Sequence, residues 1–151
     1  ADPVHDLGPE LVIGRAARCR AGGDVTIVAA GSLPVRFALD AAETLAGQGI
    51  QARVLDMHTI KPLDVPALVA AAEETAGVVT VEDHSVFGGL GGAVAEALAE
   101  HHPTRVRRVG IADVFCQRPG THAEQLAAAG VSPAQVVSAA LAVLESQGGE
   151  R

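Results

Sequence analysis

The stretch from Glu82 to Gly92 concentrates the side chains of this sequence that could do chemistry. Two carboxylates, an imidazole and a hydroxyl stand in succession, Glu82-Asp83-His84-Ser85, before a run of glycines. Serine, histidine and aspartate together suggest nucleophilic catalysis, but a triad must converge in space, and neighbouring side chains of an extended chain point to opposite sides. The Gly-x-Ser-x-Gly elbow of α/β hydrolases is also missing from the sequence. We therefore interpret His84 as a polar contact at a subunit interface, which Glu82 and Asp83 could orient.

The glycines of this stretch stand where a strand is expected to end and a helix to begin; they are Gly88, Gly89, Gly91 and Gly92. In an open α/β sheet this is the usual ligand edge, and free backbone N–H groups at a helix start attract anions. A phosphate or nucleotide site is therefore one interpretation. The pattern is neither the dinucleotide fingerprint nor a P-loop, because no Lys-Ser/Thr follows the glycines. The interpretation that we favour is a tight turn with close contact between helix and sheet.

The other chemically capable residues form no recognisable site. Lys61 is the single lysine, and a lysine before a helix is most often solvated. The remaining histidines show no metal-ligand spacing, and the sequence predicts no metal site among them; they are His5, His58, His101, His102 and His122. Cys19 and Cys116 have no redox or metal spacing, and whether they pair stays open.

Composition excludes several classes of function. The formal net charge of −7 makes a nucleic-acid partner unfavourable, because phosphate neutralisation requires a basic surface. No apolar run approaches the ~20 residues of a membrane span, and the polar, acidic segment Ala1–Gly8 does not resemble a signal peptide. We expect a cytoplasmic protein of one domain over residues 10–151, preceded by a linker over residues 1–9.

The elements that must position these residues alternate between strand and helix. This order predicts right-handed crossovers and a mainly parallel sheet between layers of helices. The fifth strand carries three arginines, which is typical of an exposed sheet edge. The expected strands are Glu10–Ala16, Val25–Ala30, Ala52–Met57, Val78–Glu82 and Arg105–Gly110. The expected helices are Pro34–Gln48, one from the Asp64 cap to Gly77, one from the glycines to His101, and two opened by the capping boxes Thr121/Glu124 and Ser132/Gln135.

Several short segments occur together in an order that resembles one family. They are Ile13–Ala16, Asp24–Gly31, Thr59–Asp64, Val81–His84, Gly88–Gly91 and Gly110–Phe115. Together they resemble the C-terminal domain of transketolases, which deoxyxylulose-phosphate synthases and the β subunits of 2-oxo-acid dehydrogenases share. The Glu-Asp-His sequence is most similar to the transketolase branch. The resemblance implies a three-layer α/β/α sandwich with a mostly parallel, mixed sheet of about five strands, whose first strand, Glu10–Ala16, runs against the others.

The same resemblance implies that the cofactor chemistry lies outside this chain. In that family thiamine diphosphate and a divalent metal bind between two other domains, one holding the diphosphate and the other the pyrimidine. The diphosphate motif, Gly-Asp-Gly followed by Asn, is missing here, and the chain has no asparagine at all. No catalytic, cofactor-binding or metal residue is therefore carried over, and no cofactor is expected to bind to this domain alone.

Three hypotheses about function follow from the sequence. The first is a non-catalytic assembly domain or subunit of a transketolase-type enzyme, which supports a homodimer while the whole enzyme transfers a ketol unit. The second is a regulatory module that binds anions or nucleotides at Gly88–Gly92. The third is a free-standing interaction protein. The choice between a split subunit and a domain excerpt stays open, as do the donor and acceptor substrates.

Overall fold

The computed structural model describes residues 11–115 and 119–145 of the 151-residue chain. Ten elements follow one another along these residues, and strands and helices alternate through most of the chain. The strands are β1 (Ala17–Arg20), β2 (Val25–Ala29), β3 (Ala52–Asp56), β4 (Val78–Ser85) and β5 (Val106–Ile111). The helices are α1 (Ser32–Ala46), α2 (Val65–Glu74), α3 (Leu90–His101), α4 (His122–Ala128) and α5 (Pro133–Glu145).

The five strands form one mixed sheet in the order β1-β3-β2-β4-β5. β2 pairs in parallel with both β3 and β4, and β4 pairs in parallel with β5. β1 pairs antiparallel with β3, so that Ala17 stands opposite Asp56. The predicted mostly parallel sheet, with an opposed first strand and β5 at an edge, is therefore confirmed.

Helices cover both faces of this sheet and give it three layers. β2 alternates between the two faces, because Ile27 belongs to one buried cluster and Val28 to the other. On the first face, α1, α4 and α5 contribute buried residues such as Leu45, Leu126 and Val136. On the second face, α2 and α3 contribute their own, including Leu68. The α/β/α sandwich expected from the sequence is the observed architecture.

The prediction of the first strand was wrong in position. We expected Glu10–Ala16, whereas the strand is Ala17–Arg20; residue 10 lies outside the described residues. The segment before β1 turns instead of extending, because Gly14 adopts a positive φ of 80° and Arg15 N–H donates to the Val12 carbonyl at 3.0 Å. The carboxylate of Asp64 then accepts the Ala16 N–H at 2.8 Å and fixes the entry into β1.

The prediction of the strand before the glycines was too short. We expected it to end at Glu82, but β4 continues through Ser85. The extension pairs with the edge strand, where Ser85 stands opposite Ile111 after a register shift, and Val86 N–H donates to the Ile111 carbonyl at 3.0 Å. Backbone pairing thus keeps a polar segment extended, although it lacks the apolar character of the first half of the strand.

The residues of the two predicted capping boxes stand at the starts of α4 and α5, and the structure shows a capping box at α4. At α4 the box is complete, because Glu124 N–H donates to Thr121 Oγ1 at 3.3 Å and Thr121 N–H donates back to Glu124 Oε2 at 2.8 Å. At α5, Ser132 Oγ contacts Gln135 Oε1. The expected linker over residues 1–9 and the pairing of Cys116 lie outside the described residues.

Candidate functional site

The carboxyl ends of the parallel strands meet at one edge of the sheet, and the predicted site residues lie there. β4 brings Glu82, Asp83 and His84 to this edge, and the glycines lead from it into α3. Gly31 follows β2 at the same edge, because a Cβ atom on it would stand 3.6 Å from Asp83 Oδ2. The residues that the sequence singled out therefore lie at the carboxyl edge of the sheet, where ligands usually bind in open α/β folds. Their contacts show what chemistry they can do.

Glu82 is fully buried and caps the start of α3. Its Oε1 accepts the Gly91 N–H at 3.1 Å, whereas the N-cap residue, Gly89, has no side chain to do so. The first N–H groups of a helix lack intrahelical partners and attract negative charge, so an internal carboxylate is a suitable acceptor. The anion that this helix start attracts is thus supplied by the chain itself. An added phosphate would meet the carboxylates of Glu82 and Asp83, which weakens the anion-binding hypothesis.

Two glycines make room for this buried carboxylate, and a third lets α3 approach β4 and β5 closely. A Cβ atom on Gly89 would collide with Glu82 Oε2, and one on Gly110 would stand 2.9 Å from Glu82 Cγ. A Cβ atom on Gly91 would stand 2.8 Å from both Thr80 Oγ1 and Arg108 Cδ. These contacts support the interpretation of close packing between helix and sheet. The contribution of Gly110 was not visible in the sequence, because it lies on a neighbouring strand.

The remaining glycines of the stretch differ from those three. Gly88 adopts a positive φ of 73°, which glycine tolerates readily and which the turn before α3 requires. Gly92 has open space at its Cβ position, so packing does not explain it. Close contact and turn geometry therefore account for Gly88, Gly89 and Gly91.

His84 is half-exposed and is held by its own strand. Its Nδ1 lies 3.3 Å from the Ser85 carbonyl oxygen, within reach of a hydrogen bond to that oxygen. The same atom lies 3.3 Å from Glu82 Oε2, although that oxygen has no aligned hydrogen bond. We regard the second contact as electrostatic, because its distance fits an ion pair but its angle does not fit a hydrogen bond.

Asp83 points away from His84 and meets a residue that is distant in sequence. Its Oδ2 lies 3.7 Å from Nε2 of His122, the first residue of α4. Ser85 Oγ accepts the Phe87 N–H at 3.2 Å, which shapes the turn after β4. The serine, histidine and aspartate therefore have separate partners and form no catalytic triad. No local pattern predicted the pair of Asp83 with His122.

Large apolar side chains are exposed along the same edge. Phe115 is 93% exposed, Ile13 is 80% exposed and Phe87 is 66% exposed. They follow β5, precede β1 and follow β4, and all three positions lie at the carboxyl ends of the parallel strands. The full set in the described residues is Leu11, Val12, Ile13, Ile60, Phe87, Val114 and Phe115. We call this set, together with Asp83, His84 and His122, the carboxyl-edge face.

The other residues singled out in the sequence stand apart from one another. Lys61 is exposed in the turn before α2, and His101 ends α3. His58 Nδ1 lies 3.0 Å from Thr59 Oγ1, and its buried Nε2 has no hydrogen-bond partner among the described residues. Within residues 11–115 and 119–145, no group of three or more His, Cys, Asp or Glu side chains could hold a metal ion.

In the described part of the chain, no single helix is long and apolar enough to cross a bilayer. α4 and α5 taken together reach such a length and composition, across a bend of 42°. Both of these helices bury side chains in the core of the domain, such as Leu126 and Val143.

Comparison with known proteins identifies the fold. The family model described as "Transketolase, C-terminal domain" matches residues 14–136. This chain belongs to that family. The transketolase resemblance that the sequence motifs indicated is therefore confirmed.

Two curated relatives are subunits of transketolases. A 6-deoxy-6-sulfo-D-fructose transketolase subunit from a Clostridium species is 51% identical over 74% of this chain and 34% of its own length. An apulose-4-phosphate transketolase subunit from Phocaeicola vulgatus is 53% identical over 69% of this chain and 33% of its own length. The chain thus spans about a third of the length of these relatives.

Two solved structures have the same fold. A protein described as "Split gene transketolase, inactive beta4 tetramer" aligns with a TM-score of 0.88 and 42% identity, over 95% of this chain and 46% of its own. The transketolase of Leishmania mexicana aligns with a TM-score of 0.64 and 23% identity, over 87% of this chain and 18% of its own, which shows the fold alone. Membership of the domain family is therefore supported by sequence and by structure.

Proposed function

We propose that this chain serves as the non-catalytic C-terminal domain of a subunit in a split, thiamine-diphosphate-dependent transketolase. The observation that carries this proposal is the alignment of 95% of the chain with 46% of a split-gene transketolase subunit at 42% identity. The whole enzyme would transfer a ketol unit between sugar phosphates or similar substrates. This domain would support assembly of the subunits, including a homodimer, and the enzyme would work in the cytoplasm.

The contacts at the carboxyl edge support a structural role for this domain. Glu82 caps α3, Ser85 shapes a turn and Asp83 lies beside His122, so each polar side chain of the expected site is engaged within the chain. A general acid or base must instead reach a substrate. These residues therefore shape a surface, and we assign them no catalytic step.

The residues of the carboxyl edge also do not fit thiamine diphosphate. The start of α3 would be the natural place for a diphosphate, but the buried Glu82 carboxylate lies there and Asp83 follows it. Two carboxylates would repel the diphosphate, and the chain lacks the asparagine of the diphosphate motif. We therefore propose that the diphosphate- and pyrimidine-binding domains of the whole enzyme hold the cofactor and its divalent metal.

A domain exchange tests this proposal. Residues 14–136 of this chain would replace the matching segment of the 6-deoxy-6-sulfo-D-fructose transketolase subunit. The chimera would be mixed with the other subunit of that enzyme, thiamine diphosphate and Mg²⁺. We expect it to assemble and to transfer a ketol unit from 6-deoxy-6-sulfo-D-fructose, whereas the same subunit without a C-terminal domain fails to assemble. Ketol transfer by the purified 151-residue chain alone would refute a non-catalytic role.

A further inference from the structure

Positive charge is concentrated beside the first strand of this acidic chain. Arg15 precedes β1, Arg18 lies within it, and Lys61, the single lysine, lies in the turn before α2. All three side chains are exposed, and none of them forms an ion pair with another described residue. Because the chain as a whole has a formal net charge of −7, this is a local region of positive charge on an acidic molecule.

One close contact brings Arg15 and Lys61 together, although they are distant in sequence. A Cβ atom on Gly14 would stand 2.9 Å from Pro62 Cγ, so the two segments touch at this point. Arg15 follows Gly14 and Lys61 precedes Pro62, so each cation is one residue from the contact. By chain geometry, their Cα atoms lie within about 14 Å of each other. Both side chains are exposed and long enough to reach one phosphate group between them.

A carboxylate also lies at this turn, but both of its oxygens are engaged within the chain. Asp64 Oδ2 accepts the Ala16 N–H at 2.8 Å, and Asp64 Oδ1 accepts the Ala67 N–H at 3.1 Å. The backbone N–H groups of Ile60 and Lys61, in contrast, donate to no other described residue. Cationic side chains and free backbone N–H groups are the donors that phosphate sites use.

We propose that Arg15 and Lys61 bind a phosphate group, with Arg18 beside them on β1. Arg15 offers a planar fork of donors and Lys61 a compact charge, and both kinds of cation bind phosphate in proteins. At the start of α3 an added phosphate would meet two carboxylates, whereas here three cations stand around one engaged carboxylate. The site lies on this domain alone, so the inference does not rest on the proposed function.

An NMR titration of the full chain tests the proposal. Inorganic phosphate would replace chloride at constant pH and ionic strength, so that screening of surface charges stays the same. We expect saturable shifts of the Arg15, Ile60 and Lys61 amide signals, with a Kd of about 1–10 mM for so exposed a site. A second titration uses glycerol 3-phosphate. Tighter binding of that ester would assign the site to phosphate monoesters, and tighter binding of inorganic phosphate would assign it to the free ion.

Single-charge variants show whether the named cations are responsible. Lys61→Gln should raise the Kd for inorganic phosphate about fivefold or more, because it removes a charge-assisted contact to the anion. Arg107→Gln is the matched control, since it removes one exposed positive charge from β5, the strand at the opposite side of the sheet. The control should leave the Kd unchanged. The dispersion of the amide signals would show that each variant stays folded.

Three outcomes would overturn the proposal. Shifts that do not saturate would show general screening of surface charge instead of binding. Equal affinities of Lys61→Gln and Arg107→Gln for phosphate would show that Lys61 does not hold the anion. Saturable shifts that are largest at Gly89–Gly92 would place the anion at the start of α3. The titration uses the isolated chain and reads amide signals, so its result is independent of ketol transfer by the chimera.

Discussion

The two edges of the sheet differ in how their side chains are satisfied. At the amino edge, Asp24 Oδ2 accepts the Gln51 N–H at 2.6 Å, and Arg53 contacts Glu74 at 2.6 Å across the loops. At the carboxyl edge, Phe87 and Phe115 extend into water. None of the exposed large apolar side chains of the described residues lies at the amino edge. The amino edge therefore has the polar, internally paired side chains of a solvent-exposed surface. The carboxyl edge has the exposed apolar side chains that are typical of an interface.

The buried carboxylate beneath the carboxyl edge should be the most sensitive position. We expect Glu82→Ala to lower the free energy of unfolding by about 3 kcal/mol, because it leaves the Gly91 N–H without an acceptor and empties a buried volume. Glu82→Gln retains an acceptor and should cost less than half as much. Urea denaturation of both variants measures the difference. A Glu82→Ala variant as stable as the wild-type chain would mean that Glu82 does not act as the cap of α3.

Two neighbouring glycines of α3 should respond with opposite signs. Gly91→Ala should destabilise the fold by about 2 kcal/mol, because its Cβ would stand 2.8 Å from Thr80 Oγ1 and Arg108 Cδ. Gly92→Ala should stabilise it by up to ~1 kcal/mol, because the site is open and alanine favours a helix. Thermal unfolding would detect both shifts. A stabilising effect of Gly91→Ala would contradict the close packing of α3 against β4 and β5 at Gly91.

The ion pair at the amino edge should matter far less than either change. Glu74→Gln removes the negative charge that pairs with Arg53, but the Glu74 side chain is 58% exposed and the pair is screened by solvent. We expect a loss below about 0.5 kcal/mol in urea denaturation and no change in sedimentation. A change of oligomeric state in this variant would contradict the expectation that the amino edge takes no part in assembly.

The smallest expected effect concerns the reactivity of the Cys19 thiol, which lies on the edge strand β1. Burial, and then the Asp56 carboxylate, raise the pKa of the Cys19 thiol, against a smaller opposing effect of a hydrogen bond at Asp56. A raised pKa means less thiolate at a given pH, so alkylation by iodoacetamide should be slower than in the urea-unfolded chain. The rate of alkylation should also begin to rise at a higher pH in the folded chain than in the unfolded chain. The experiment uses Cys116→Ser, so that Cys19 alone reports, and equal rates in both states would contradict the burial.

Local patterns were enough to predict most of the fold. Apolar residues with a strand or helix period marked β2, β3 and α1, and the Thr121/Glu124 spacing marked the start of α4. Each of these signals lies within a few neighbouring residues, so a single sequence contains it. The order of these elements then predicted a mainly parallel sheet between helices. The antiparallel first strand was expected from the family resemblance, and the order of the strands in the sheet was not predicted.

The features that the sequence did not reveal depend on contacts between distant residues. Asp83 meets His122, and Gly110 makes room for Glu82, across different elements of the chain. The extension of β4 to Ser85 likewise arises from its pairing with β5. Such contacts depend on the tertiary packing, which the local periodicity of one sequence does not encode. The sequence therefore indicated the edge at which these residues lie, but not the partners that they meet there.

Hydrogen exchange at two protein concentrations tests the contrast between the edges most directly. Amide exchange of the wild-type chain would be followed by mass spectrometry at ~1 μM and at ~500 μM, which bracket typical weak dimer affinities. We predict that peptides around Phe87 and Val114 become protected at the higher concentration. Peptides at the amino-edge turns, around Asp24 and Gly77, should exchange at the same rate in both samples. Protection that appears at the amino edge, or at neither edge, would contradict the assignment of the carboxyl edge as the assembly surface.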